Sequence, residues 1–274
     1  MGRWFFYGEK LITNTELRDV GKGTSFFSFI DEFSLEENSR QYISRALHRL
    51  CTLMRKMDVR SVIIETITQD DDITKKECEA INTYFGQQID FKINRFTFLL
   101  NSLTSIEQVK EPDIIFLSSA LIVNYKVPEG NWRTYLYSAI ITIPKKYDKK
   151  TNMQIPLLNN YVHIFNTFDC QVKINDDETF EYKITGTYFC QQNSITSVCA
   201  HASLCMTINN MGRGIISPED INEKIGINHI DIKFGVNKDG LQDDEMMVVL
   251  RSYGLTFTWM NLYIITLRVD VLFY

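Results

Sequence analysis

The stretch Gln191-Gln192-Asn193-Ser194-Ile195-Thr196-Ser197-Val198-Cys199-Ala200-His201-Ala202-Ser203-Leu204-Cys205-Met206 opens with two amides and a run of small hydroxyl residues, then turns apolar at helical spacing. Ser197 is a good N-cap, so the pattern predicts a helix over 197–211 with Cys199 in its first turn. Backbone N–H groups are unpaired in that turn, and the positive end of the helix dipole favours thiolate over thiol. A cysteine so placed is primed as a nucleophile. A glutamine amide upstream can donate, alongside the cysteine's own N–H, to the oxyanion that forms when a thiolate attacks a carbonyl. Gln192 is the residue expected in that role. A plainer alternative makes Cys199 and Cys205 small buried apolar side chains on a helix with Ala202, Met206 and Ile208.

These residues resemble the papain-like cysteine peptidases, most closely the bacterial peptidase domains that cleave double-glycine leader peptides during bacteriocin export. In that family a glutamine precedes Asp-Cys-Gly-x-Ala-x-Leu-x-Met, and here Cys199 is followed by Ala202, Leu204 and Met206 at the matching offsets. Val198 stands where the family has aspartate and Ala200 where it has glycine. Gln192 precedes Cys199 by seven residues where the family usually has six. The similarity continues through the capped segment Ser217–Ile225, Lys238-Asp239-Gly240-Leu241 and Leu250-Arg251-Ser252-Tyr253-Gly254-Leu255, covering roughly residues 188–260. It implies a cysteine that attacks a peptide carbonyl, a glutamine that forms the oxyanion hole and a histidine base on a later strand.

That base is not found downstream. Papain-type enzymes place it about 130–150 residues after the cysteine, less in compact relatives, whereas the sequence ends at Tyr274 and holds no histidine in the strand-like segments 255–260 and 263–273. The expectation is a papain-like portion that is truncated at its C-terminal side. Of the remaining histidines, His201 lies two positions beyond Cys199 and about 200° round the helix, so it points away from the thiol. His229 falls between two helical segments. His163, in the strand-like run Tyr161-Val162-His163-Ile164-Phe165, precedes the cysteine as a circularly permuted papain-like fold would need, and is the candidate base.

Moving outward, Ser34-Leu35-Glu36-Glu37 forms a capping box ahead of a helix with Ile43, Ala46, Leu47, Leu50, Met54 and Met57 on one stripe. Residues 3–12 alternate weakly as a strand, Val62–Ile67 is β-branched, and Asp70–Asp72 leads into a helix carrying Ala80, Ile81, Tyr84 and Phe85 that stops at Gly86. From about residue 91 to 188 the pattern is extended: 96–100, 114–127, 132–144, 161–165, 172–174 and 180–184, split by turn formers such as Pro128-Glu129-Gly130 and Asn175-Asp176-Asp177. Helical signals return with Ser217-Pro218-Glu219-Asp220 and with 241–253, closed by Gly254. The expected class is α+β: a mixed and then β-rich region over 1–185, and a papain-like nucleophile-helix region over 186–274.

Composition narrows the function. The chain has 274 residues, 45% apolar and 23% charged, with a net charge of −5, which offers no basic face to nucleic acid or anionic membranes. No apolar run approaches the roughly 18 residues of a membrane span and no secretory signal is legible, so a cytoplasmic protein is expected. Six cysteines without CxxC or HExxH spacing read as reduced thiols, and no metal or cofactor is expected. Asp70-Asp71-Asp72 and Asn237-Lys238-Asp239-Gly240 lack the ligand spacing of a calcium loop. The resulting expectation is thiol-dependent cleavage of a peptide or protein through an acyl-enzyme on Cys199, with Gln192 and His163 assisting. The rivals are a catalytically inactive peptide-binding or assembly protein and a transglutaminase-like acyltransferase.

Overall fold

Strand-forming residues bordered by turn signals produce most of this molecule, and caps and periodicity produce its helices. A computed structural model describes residues 12–20, 45–69, 74–143, 145–148, 153–156, 165–191, 199–214, 216–226 and 240–255. The elements, in order, are β1 (Ile12–Asp19), α1 (Arg45–Lys56), β2 (Ser61–Ile67), α2 (Lys75–Phe85), β3 (Phe91–Leu99), β4 (Phe116–Lys126), β5 (Trp132–Thr142), β6 (Lys145–Asp148), β7 (Met153–Pro156), β8 (Asn166–Asn175), β9 (Glu178–Cys190), α3 (Cys199–Asn210), α4 (Pro218–Ile225) and α5 (Asp243–Ser252). A short 3-10 turn, Ile106–Lys110, joins β3 to β4. The protein is α+β, as its pattern predicts. The capping box at 34–37, the acidic run 70–72, most of the two strand-like runs 3–12 and 161–165, and the segments 256–260 and 263–273 lie outside the described residues.

Seven strands form one antiparallel sheet in the order β1-β2-β3-β4-β5-β9-β8, and β6 pairs with β7 in a separate ribbon. The large sheet curls, because right-handed twist accumulates from strand to strand, until its two edges meet: Lys173 Nζ on β8 donates to the Ile12 carbonyl on β1 at 3.1 Å. Close approach also decides residue 186. A Cβ on Gly186 would lie 2.1 Å from the Ile141 carbonyl oxygen on β5, so only glycine lets β9 pair there.

The two faces of the sheet are covered differently. On the outer face, Leu47, Leu50 and Met54 of α1 pack on Val62, Phe96, Phe98 and Ile122; each such side chain is stabilised by about 1.5–3 kcal/mol on burial. On the opposite face, Cys78 and Ile81 of α2 meet Ile93, Val123 and Tyr135. Beside them Cys205 and Ile208 of α3, Ile221 of α4 and Val249 of α5 share one core with Phe168, Ile184 and Tyr188 of β8 and β9. β9 runs unbroken from Glu178 to Cys190, through residues 185 and 186, and its buried side chains share a core with those of α3.

Helix ends follow local chemistry. α2 stops at Gly86, whose left-handed φ of 68° lets its N–H reach back to the Thr83 carbonyl. α4 starts with Ser217 and Asp220 in a reciprocal capping box and Pro218 in the first turn.

Candidate functional site

Cys199 is the first residue of α3, and no acid occupies the first turn of that helix. Its side chain is exposed, while Cys51, Cys78, Cys170, Cys190 and Cys205 are all buried. Burial pushes the Cys51 and Cys170 thiols up to about 12 and raises Cys205 well above the usual thiol range. The alternative in which residues 199 and 205 are both packed apolar side chains therefore holds for Cys205 alone.

Several polar clamps set the position of α3. Tyr188 N–H donates to Asn210 Oδ1 at 2.6 Å and Asn210 Nδ2 returns a bond to the Tyr188 carbonyl at 2.9 Å, fixing the end of the helix to β9. Asn209 makes the same kind of reciprocal pair with the backbone of Ile216, at 2.8 and 3.1 Å. Cys190 Sγ lies 3.4 Å from the Ala202 carbonyl. Near the start of the helix, Ser203 Oγ donates to the Cys199 carbonyl at 3.0 Å. Gln191, just before the described helix, offers its Oε1 to the Leu136 N–H at 3.4 Å.

His201 is fully buried, and its Nε2 sits 2.8 Å from Asn222 Oδ1 on α4. Its side chain ties α3 to α4 rather than serving the thiol, in line with its angular offset from Cys199. His48 is exposed on α1, the solvated position that its place off the apolar stripe suggests. Gln192, Ser197, His163 and His229 lie outside the described residues, so the structure places Cys199 alone of the proposed trio. No group of three or more His, Cys, Asp or Glu that could hold a metal occurs among the described residues. No helix among them is long and apolar enough to cross a membrane.

Two buried polar clusters escaped the sequence reading. Inside the curled sheet, Arg95 on β3 forks onto Glu65 on β2, with nitrogen–oxygen separations of 2.6 and 2.5 Å, and Glu65 also accepts the Lys173 N–H at 2.9 Å. Both side chains are at most 2% exposed. A cavity of about 10 Å³, the room one water takes, lies beside Arg95 and Tyr188. The second holds two buried acids, Glu77 of α2 and Glu219 of α4: the Tyr135 hydroxyl donates to Glu77 at 2.5 Å, and both Glu219 carboxyl oxygens lack a hydrogen-bond partner among the described residues. Alternation alone cannot mark such residues, because each charge reads as a solvent-facing position of its own element.

No family model, no curated protein and no solved structure matches this chain.

Proposed function

We propose that the chain performs thiol-dependent acyl transfer of the papain-like kind, with Cys199 as nucleophile and a peptide or protein as substrate. In this reading the sulfur forms a bond to a peptide carbonyl carbon and the carbonyl electrons move to oxygen, where Gln192 and the Cys199 N–H stabilise them. The base takes the Cys199 proton and gives it to the amine as the tetrahedral intermediate breaks its C–N bond; water, deprotonated by the same base, then attacks the thioester carbonyl and breaks the C–S bond, releasing the carboxylic acid and the Cys199 thiol. His163 is the proposed base. The observation that carries the reading is that one cysteine of six is exposed while the other five are buried, and that it is the residue the resemblance assigns as nucleophile. A cytoplasmic setting goes with it.

A second reading, a non-catalytic papain-like module that binds peptides, is favoured by His201, which is buried against Asn222. Alkylation with iodoacetamide at neutral pH, followed by mass spectrometry of tryptic peptides, separates the two. The catalytic reading expects Cys199 to be modified faster than the other five thiols and faster than a free cysteine peptide, and expects Gln192→Ala and His163→Ala to slow peptide turnover. Modification of Cys199 no faster than the free peptide would overturn it. Incorporation of an added amine into the acyl product would move the assignment to the transglutaminase-like acyltransferase.

A further inference from the structure

Three thiols share the core formed by β8, β9 and the C-terminal helices: Cys170, Cys190 and Cys205. Cys170 stands opposite Tyr182 in the β8–β9 register, and from residue 182 to residue 190 the strand advances about 26 Å. It cannot reach Cys190. Cys51 and Cys78 lie in two other cores. Cys199 is exposed on α3, about 9 Å along the helix axis from Cys205 and about 240° round it. That leaves one pair.

Cys190, the last residue of β9, turns its S–H onto the Ala202 carbonyl of α3 at 3.4 Å. Helical side chains lean toward the N-terminus and cover the turn before their own Cα, so the Cys205 sulfur lies over residues 201 and 202. Cys190 docks on that same turn. The two side chains are 5% and 0% exposed and share one core with Ala202. Burial first, and the Cys190 thiol second, raise the Cys205 thiol well above its usual range. Tyr188, on the same face of β9 as Cys190, exchanges two hydrogen bonds with Asn210 at the other end of α3. The strand end is therefore held to the helix on both sides of Cys205.

We propose that Cys190 and Cys205 form a redox modification site, a dithiol that hydrogen peroxide converts into a disulfide joining the end of β9 to α3. Cys190, the less buried of the two, takes the first step. Its sulfur attacks one peroxide oxygen and the O–O bond breaks, leaving a sulfenic acid and releasing water that carries the thiol proton. The Cys205 sulfur then attacks the sulfenic sulfur: the S–S bond forms, the S–O bond breaks, and the hydroxyl leaves as a second water with the Cys205 proton. Two thiols lose one electron each and one peroxide is reduced to two waters. The bridge closes a loop over residues 191–204, the segment that carries Gln192 and Cys199. The inference stands on where the two sulfurs lie and holds whether or not Cys199 is a nucleophile.

The test treats the full chain with hydrogen peroxide, unfolds it, blocks the remaining thiols with N-ethylmaleimide and digests it without reduction. Chymotrypsin is the suitable protease, because no Lys or Arg separates residue 190 from residue 205, whereas Phe189 and Leu204 allow cleavage between them. Running Cys199→Ser beside the wild type removes the exposed thiol from any competing linkage. A peptide pair joined through Cys190 and Cys205 is expected in both proteins, lost on adding dithiothreitol and missing from Cys190→Ser. Recovery of both cysteines as maleimide adducts, or as sulfinic acids, would overturn the proposal. Denaturant unfolding supplies the second readout. A loop of this size should raise the folded-to-unfolded ratio of oxidised Cys199→Ser about a hundredfold over its reduced form, and an unchanged midpoint would overturn a bridge formed in the folded protein.

Discussion

Glu65 and Glu77 are both carboxyl groups withdrawn from water, yet one is met by a guanidinium and the other by a tyrosine hydroxyl. Inside the sheet, Arg95 answers Glu65 with two charge-assisted bonds and the Lys173 N–H adds a third. Where α2 meets β5, the Tyr135 hydroxyl donates to Glu77. A buried charge has three ways out: an opposite charge, a set of donors, or neutralisation. The sheet interior uses the first two, and its guanidinium stays charged throughout the accessible range.

The comparison can be broken most forcefully at Arg95. Arg95→Met strands Glu65 in the sheet interior and should cost about 3–5 kcal/mol in denaturant unfolding. Adding Glu65→Leu should restore most of that loss, and a double variant no better than the single one would mean that Arg95 acts through packing alone. At the contact of α2 with β5, Tyr135→Phe removes the hydroxyl that donates to Glu77 and should cost about 1–3 kcal/mol, less than Arg95→Met because no oppositely charged partner is lost. Ser217→Ala removes the cap that starts α4 beside Glu219, with an expected loss of about 1 kcal/mol by the same measurement. Smallest is Lys76→Ala. Its partners Glu223 and Asp220 are well exposed, so the change should stay under about 0.5 kcal/mol and fade further with added salt.

Much of the framework was readable one segment at a time. The apolar stripe Leu47, Leu50, Met54 gave α1 its buried face, Gly86 its place after α2, and Ser217-Pro218-Glu219-Asp220 the start of α4, since each depends on contacts within a few residues. Strands were found but underestimated: the expected 180–184 is the middle of β9, Glu178–Cys190, whose ends continue because β5 and β8 pair with them. Tyr137 illustrates the limit more sharply. The register of β4 and β5 shifts between Leu121 and Ile122, so Tyr137 is left without a register partner on β4 and its ring joins the core under α2, and no local pattern announces a bulge. For the candidate nucleophile, the sequence supplied a helix that carries Cys199; the exposure that separates it from Cys205, six residues further on, came from the packing of α3 against β9.

Sequence alone determined where α2 ends, where α4 begins and which segments extend, because caps, periodicity and turn chemistry act over one or two turns of chain. Tertiary structure alone decided that Glu65 meets Arg95 and that Glu77 meets Tyr135. Residues 77 and 135 are brought together only by the folding of α2 onto the sheet, and the ionisation of a carboxyl depends on what surrounds it in space rather than on what flanks it along the chain.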